Sequence, residues 1–440
     1  MSGISGGFFF CDAGCPALAP FIWYRCLKIR FMRILKTTQT YYPHLSKGGP
    51  PVKVRGIAGA LVRRGHKVTV LTADRGEPDG TFDVSNWKRE RSAWGWESRH
   101  DGVEAIYLAT LTNYRATTVN LRIASFCARR LREYDVVHVY GLYDLIGSVV
   151  AWYSRRRGIP YVLEPLGMFG PKVRSQQKKR LYGRLVGDAL FAGAAVVLAT
   201  SEAERKELIE GGISAEKIVL RRNGLDLSEF QTLPPRGAFR AKHGLGEKEP
   251  LILFLGRLSF IKGLDLLVQA FSRIDSEARL VIAGPDDEDG CAPKIRGLID
   301  ELQLGKRVIL TGPIYDGEKL QALVDTDVFV LPSRYESFGN AAAESVACGT
   351  PVLVTDRCGI APLVDGRAGL VVACEIEGLS EGMNRLLRDR SLLARLQEGC
   401  AGVAQNLSWE EPVALMETLY ASLQARDGVP RSVAAMHSPI

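Results

Sequence analysis

Glu336 and Glu344 stand with seven residues between them in Ser333-Arg334-Tyr335-Glu336-Ser337-Phe338-Gly339-Asn340-Ala341-Ala342-Ala343-Glu344. Val328-Phe329-Val330-Leu331-Pro332 just before reads as a buried strand ended by a proline. The small residues from Gly339 to Ala343 begin a helix. Gly349-Thr350-Pro351 ends it, and Val352-Leu353-Val354 starts the next strand. Glu336 then lies in a strand-to-helix loop, and Glu344 sits about two turns into the helix. Backbone N–H groups from Phe338 to Ala341 would point out of the helix start, an end that attracts phosphate or diphosphate. One carboxylate beside that anion can accept hydrogen bonds from one sugar, the other from a second. A nucleotide-sugar carries its parts in that order: sugar, diphosphate, ribose. The same spacing also fits a plain polar loop followed by a helix with two solvated glutamates.

A second loop, Leu255-Gly256-Arg257-Leu258-Ser259-Phe260-Ile261-Lys262-Gly263, follows another predicted strand. Arg257 offers a planar fork and Lys262 a mobile point charge, so both can reach one diphosphate. Together they would neutralise charge building on a departing nucleotide diphosphate; alone, they would be two surface cations. In the first half, Ser46-Lys47-Gly48-Gly49 follows the first strand and precedes a helix, and its glycines allow close backbone approach to a phosphate or sugar. No Gly-x-Gly-x-x-Gly follows that strand and no Walker pattern is present, which disfavours a dinucleotide cofactor. His138 and Tyr140 end a strand and Glu164 to Met168 follow another, so both are expected to project into a cleft; a satisfied core histidine is the alternative. Asn223-Gly224-Leu225-Asp226 is either a turn or a donor contact. Asp286-Asp287-Glu288-Asp289 fits a solvated loop better than a cation site.

These loops need strands and helices to hold them. Apolar runs at 34–38, 68–71, 106–108, 136–139, 161–163 and 196–199 alternate with helical patterns, and 74–100 reads as a polar excursion. A proline-rich break at Leu233-Pro234-Pro235 precedes a second alternation at 251–255, 280–283, 308–310, 328–331 and 352–355. Short apolar runs split by helices predict an α/β protein of two doubly wound, Rossmann-like domains facing each other across a cleft. Ligands of such halves bind at the carboxyl ends of the strands, where every motif above falls. The expected boundaries are 32–228 and 229–408, with an amphipathic helix over 409–423 and a tail over 424–440.

The chain has 440 residues, 46% apolar and 24% charged, enough for two cores. Nine dispersed cysteines argue for reduced thiols and a cytoplasmic protein. Six histidines without ligand spacing predict no metal site. Residues 1–31, with Phe8-Phe9-Phe10 and an apolar run to Trp23, are expected to be a poorly ordered extension; a weak membrane tether is the alternative. Residues 153–184 carry nine Lys/Arg against one acid, Glu164. That segment fits peripheral contact with an anionic membrane on the inner face of the cell membrane. Nucleic acid is not expected, because no aromatic platform interleaves the charge.

Taken together, Gly256-Arg257-Leu258 with Lys262-Gly263, Glu336 with Glu344, Asn223-Gly224-Leu225-Asp226 and Thr200-Ser201-Glu202 closely resemble the family 4 (group 1) retaining glycosyltransferases of GT-B fold, over roughly Met32 to Leu423. The resemblance implies that Arg257 and Lys262 bind the donor diphosphate and Glu336 the donor sugar hydroxyls. It implies that the Phe338, Gly339 and Asn340 amides hold phosphate, that Glu344 binds the ribose and that Ile314 lies by the base. Gly48 and Gly49, with Gly256, would line the phosphates, and the last helix would cross back onto the first domain. The donor would be a UDP- or GDP-sugar with no bound cofactor and generally no divalent metal. The acceptor would be a sugar or lipid-linked hydroxyl, in polysaccharide, lipopolysaccharide or glycolipid synthesis. Two positions depart from the pattern: Tyr140 and Leu166 stand where many relatives have histidine. An epimerase or phosphorylase of the same fold, or a non-catalytic nucleotide-sugar-binding subunit, are the alternative readings.

Overall fold

The computed structural model describes residues 31–44, 49–76, 87–114, 117–169, 183–287 and 289–425. The expectations for Gly48 with Ser46 and Lys47, for Glu288, for most of the extension and tail, and for the basic run at 170–182 lie outside these residues.

Ile34-Leu35 and Leu251 to Leu255 are fully apolar and Val68 to Leu71 is interrupted only by the buried Thr69; all three form strands buried on both faces. The first sheet has nine strands in the order Ile218–Leu220, Val196–Ala199, Tyr161–Glu164, Val136–Tyr140, Arg33–Thr37, Lys67–Ala73, Val103–Leu108, Gly95–His100 and Arg89–Arg91. The last two run antiparallel to their neighbours and the others are parallel. The polar stretch read as an excursion thus supplies the last two strands of the sheet, Arg89–Arg91 being its edge. Its aromatic residues explain why: Arg89 and Arg91 each lie 4.5 Å over the Trp96 ring, and Trp94 is buried edge-on against Phe126.

The second sheet has six parallel strands in the order Val308–Gly312, Arg279–Ala283, Leu251–Leu255, Val328–Leu331, Val352–Thr355 and Gly369–Val372. Each sheet has helices on both faces. In the first, Gly49–Arg63 and Glu410–Ala425 share one core with Val54, Ile57, Val413, Met416 and Leu419. Ile123–Arg130 and Leu145–Arg157 cover the other face through Phe126, Cys127, Ile146 and Val150. The protein is therefore the expected pair of doubly wound α/β domains.

Strand order reverses beside Arg33–Thr37 in the first sheet and between Leu251–Leu255 and Val328–Leu331 in the second. Loops leaving adjacent strands at such a point diverge and open a crevice. The chain crosses between domains twice, side by side: Leu225 N donates to Leu407 O at 2.6 Å, and Leu225 bridges to Ser408. A Cβ on Gly224 would stand 2.8 Å from Ser408 O, so only glycine permits this approach.

Candidate active site

The loops 256–263 and 332–339 leave neighbouring strands of the second sheet and are tied together. Arg334 N donates to Ile261 O at 2.9 Å. Gly263, at φ +68°, presses so close to Pro332 O that a Cβ there would be 2.0 Å away. These ties bring Lys262 against Glu336 in a half-buried ion pair. Arg257, on the same loop, is about half exposed and pairs with Asp287 at 2.5 Å. Asp287, from the acidic run, is thus a partner for a cation on the protein itself.

Gly339, at φ +112°, turns the chain into the helix Asn340–Ala347, while Phe338 is buried in the domain core. The first turn of this helix faces the first domain. A Cβ on Gly49 would lie 3.2 Å from Asn340 Nδ2, and Asn223 Nδ2 donates to Asn340 Oδ1 at 3.3 Å. Gly49 opens the helix Gly49–Arg63, so two helix N-termini from different domains converge here. The helix from Asn340 presents unpaired N–H groups and a positive dipole end; the helix from Gly49 adds its dipole and the N–H groups of Gly49 and Val52, since Pro50 and Pro51 carry none, and together the two starts suit an anion. Glu344 is 3.1 Å from Lys319, which comes from the neighbouring helix Asp316–Asp325. Burial pulls the Lys319 ammonium down, but the Glu344 and Glu229 carboxylates overcome it and hold the lysine above its usual range. Ile314 is buried at the carboxyl end of Val308–Gly312.

Across the cleft, Leu166 adopts φ +59° and Gly167 φ +72°. A left-handed leucine carries a strain of about 1–3 kcal/mol. The buried Glu204 holds the loop by accepting from Gly167 N at 2.6 Å and from Thr200 N at 2.8 Å. Tyr335 of the second domain packs on Gly167, 3.1 Å from where a Cβ would be. A cavity of about 650 Å³ opens beside this contact, lined in part by Glu207, Phe260, Ile261, Arg334 and Tyr335.

His138 and Tyr140 do not project into the cleft, and that expectation is corrected. Both are fully buried under Glu410–Ala425. The His138 ring stacks on Tyr140 at 4.0 Å, and its Nδ1 is hydrogen-bonded to the Tyr420 hydroxyl at 2.6 Å. Strand side chains alternate in direction, and the even positions of Val136–Tyr140 face the last helix rather than the cleft. Around them lies a sealed polar cluster that sequence reasoning missed. Lys36 Nζ donates to the Tyr140 hydroxyl at 2.9 Å and to the Tyr420 hydroxyl at 3.4 Å. Glu164 takes both oxygens to Arg221 Nη2 at 2.8 Å and pairs with Lys53. Burial lowers Lys36 to about 7 and Lys53 to about 8, with the Arg221 charge acting in the same direction. Burial alone would raise Glu164; the Arg221 and Lys53 charges hold it well below the carboxylate range. The signal available in sequence was Lys36 itself, a cation at an inward position of a buried strand.

His138 gives this cluster a pH dependence. Burial, and then the Lys36 charge, push the imidazole from 6.5 down to about 3. The folded value lies below the unfolded one, so the unfolded chain takes up the proton first. The neutral histidine's contribution is complete above pH 6.5 and is lost as pH falls towards 3. Below pH 6.5 the thermal midpoint should drop, at up to about 1.4 kcal/mol of stability per pH unit. His138→Gln should flatten that slope between pH 6 and pH 4; an unchanged slope would assign it to other groups.

Comparison with known proteins agrees with this geometry. Residues 235–400 match the family described as glycosyl transferases group 1, and residues 48–224 match the glycosyl transferase 4-like domain. The D-inositol 3-phosphate glycosyltransferase of Xylanimonas cellulosilytica is 30% identical over 403 residues, which cover 86% of this chain and 93% of that protein. A D-inositol 3-phosphate glycosyltransferase of Catenulispora acidiphila is 31% identical over 322 residues, 68% of this chain and 76% of that one. Sucrose-phosphate synthase from Thermosynechococcus elongatus superposes with a TM-score of 0.70 at 25% identity, over 90% of this chain and all of that chain. Anabaena Alr3699/HepE, in complex with UDP and glucose, has a TM-score of 0.67 at 19% identity over 92% of this chain and all of that chain; this likeness is one of fold. With two facing α/β domains and matches running through both, the chain belongs to the group 1 glycosyltransferases, family 4, of GT-B fold.

Proposed function

We propose that the protein transfers a hexose from a nucleoside-diphosphate sugar to a hydroxyl acceptor with retention of anomeric configuration. The observation that carries this reading is the convergence of two helix N-termini at Gly49 and Asn340, with Lys262 and Glu336 beside them. The donor diphosphate would lie on those N–H groups, with Lys262 and Arg257 turning from Glu336 and Asp287 towards it. Glu336, released, would accept from the sugar hydroxyls, and Glu344, braced by Lys319, would accept from the ribose.

In the step itself the bond from the anomeric carbon to the diphosphate oxygen breaks, and the acceptor oxygen bonds to the same face. The departing phosphate oxygen takes the acceptor proton. No side chain near Glu336 needs to act as nucleophile, and His138 is sealed away from the reaction. The cations stabilise charge that appears only as the diphosphate leaves.

Nucleotide screening by thermal shift, followed by kinetics with the donor it identifies, tests the assignment. Glu344→Ala should weaken nucleotide binding by roughly 10- to 150-fold, the loss of charge-assisted hydrogen bonds to the ribose. Glu336→Gln should leave nucleotide affinity nearly unchanged and lower kcat by about tenfold or more. Wild-type nucleotide affinity in Glu344→Ala would remove the ribose role, and wild-type kcat in Glu336→Gln the sugar role.

A further inference from the structure

Nine large apolar side chains are exposed among the described residues, and five of them sit together on the first domain. They are Leu111, Val119, Leu121, Leu145 and Trp152, with Leu121 and Leu111 exposed by 71% and 66%. The hairpin that carries the first two is closed by Leu111 N donating to Val119 O at 2.9 Å. It is fastened to the start of the helix Leu145–Arg157 by Thr117 Oγ1 donating to Tyr143 O at 3.3 Å. Leu145 and Trp152 are seven residues apart and so share one face of that helix.

The charge around this patch is mainly positive, with Asp188 an exposed acid beside it, next to the Ala189 carbonyl that Arg155 reaches. Arg129, Arg132, Arg155 and Arg156 are exposed, and Arg156 stacks 4.0 Å over Trp152. The helix Ile123–Arg130 lies beside Leu145–Arg157, joined by Arg157 donating to the Cys127 and Ala128 carbonyls. Three other acids of this region are turned to other work. Glu133 pairs with Arg33 at 2.9 Å, Asp135 accepts from Arg33 N at 2.7 Å, and buried Asp144 caps the helix Leu145–Arg157. The patch begins at the carboxyl ends of the strands, the edge on which the cleft opens.

We propose that this face docks on an anionic lipid bilayer, the five apolar side chains entering the interface and the arginines meeting lipid phosphates. The inference rests on the transferase reading above and names its acceptor class as lipid-linked, presented at the cleft edge. Arginine and tryptophan suit the headgroup layer, because each keeps a polar part wet while an apolar part is covered. A second copy of the same face would bring like charges together, which disfavours a symmetric dimer. The segment singled out by its charge, 153–184, contributes its first residues to this face, while its one acid, Glu164, is buried elsewhere.

Full-length protein should co-sediment with phosphatidylcholine vesicles containing a third phosphatidylglycerol, and far less with phosphatidylcholine alone. Arg129→Gln/Arg156→Gln should weaken binding to the anionic vesicles by about 25-fold, at roughly fivefold per arginine. Leu121→Ser/Trp152→Ser should weaken it by about 30-fold or more. Both variants should hydrolyse the nucleotide-sugar donor at the wild-type rate. Vesicle binding equal to wild type in both variants overturns the proposal. So does a wild-type dimer in sedimentation velocity that Leu121→Ser/Trp152→Ser converts to monomer. If vesicles bind as expected while no nucleotide-sugar is turned over, the transferase reading fails and the docking face stands.

Discussion

Glu164→Ala is expected to destabilise the first domain by about 3–5 kcal/mol, the cost of stranding buried charge. Lys53 and Arg221 both lie on this one carboxylate, and the side chains of Glu164 and Arg221 have no exposure at all. Without it, two cations would remain in a space that water does not reach. Arg221 has no alternative acid among its described partners, and its Nε and Nη1 already lack hydrogen-bond acceptors. Glu164→Gln keeps the shape and one acceptor but not the charge, so it should fall between alanine and wild type. Adding Lys53→Met to Glu164→Gln removes one stranded cation and should recover part of the loss, a coupling that a double-mutant cycle reads directly. Urea denaturation followed by circular dichroism is the measurement. A Glu164→Ala shift below about 0.5 kcal/mol would mean that the cluster is solvated and its ion pairs count for little.

The second large effect is on turnover. Lys262→Ala and Arg257→Ala should each raise the barrier of the transfer step by about 2–4 kcal/mol, with kcat falling roughly 30- to 1,000-fold. Both cations now spend their charge on protein carboxylates, Glu336 and Asp287. On the proposed reading donor binding draws them away, and their attraction to the diphosphate is then realised most fully when its charge grows during departure. Arg257→Lys should recover only part of the loss, because an ammonium does not reproduce the two-pronged contact of a guanidinium. Steady-state kinetics at saturating donor separates this from weaker binding. Unchanged kcat in a correctly folded Arg257→Ala or Lys262→Ala variant would exclude that residue from the transition state.

The second domain was more legible in sequence than the first, for a physical reason. Glu336, Asn340 and Glu344 sit in one continuous strand-loop-helix, so local signals of period, proline and glycine place them relative to one another. Their partners are a different matter. Lys319 bracing Glu344, and Gly49 facing Asn340, are meetings of distant segments that no local pattern encodes. His138 was misplaced because its strand is apolar on both sides, so alternation did not mark which side held the ligand. Only Tyr420, on the last helix, decides it. The strands Arg89–Arg91 and Gly95–His100, the last two of the sheet, were missed because arginine, glutamate and tryptophan make a partly solvent-facing border rather than an apolar run.

The return of the last helix also sets a timetable for synthesis. The first domain's core is closed by Trp409, Val413, Met416, Leu419 and Tyr420, which emerge from the ribosome after the whole second domain. At ~5–20 residues per second, the roughly 180 residues between the two crossings take on the order of 10–40 s to make. For that interval the nascent first domain exposes an apolar strip along Gly49–Arg63 and a buried-type lysine, Lys36, that has Tyr140 but still lacks Tyr420, the second of its tyrosine partners. The second domain, complete by Leu407, can fold first. Assembly therefore runs against the order of translation: the half made first is finished last, and its nascent form is the one in need of a chaperone.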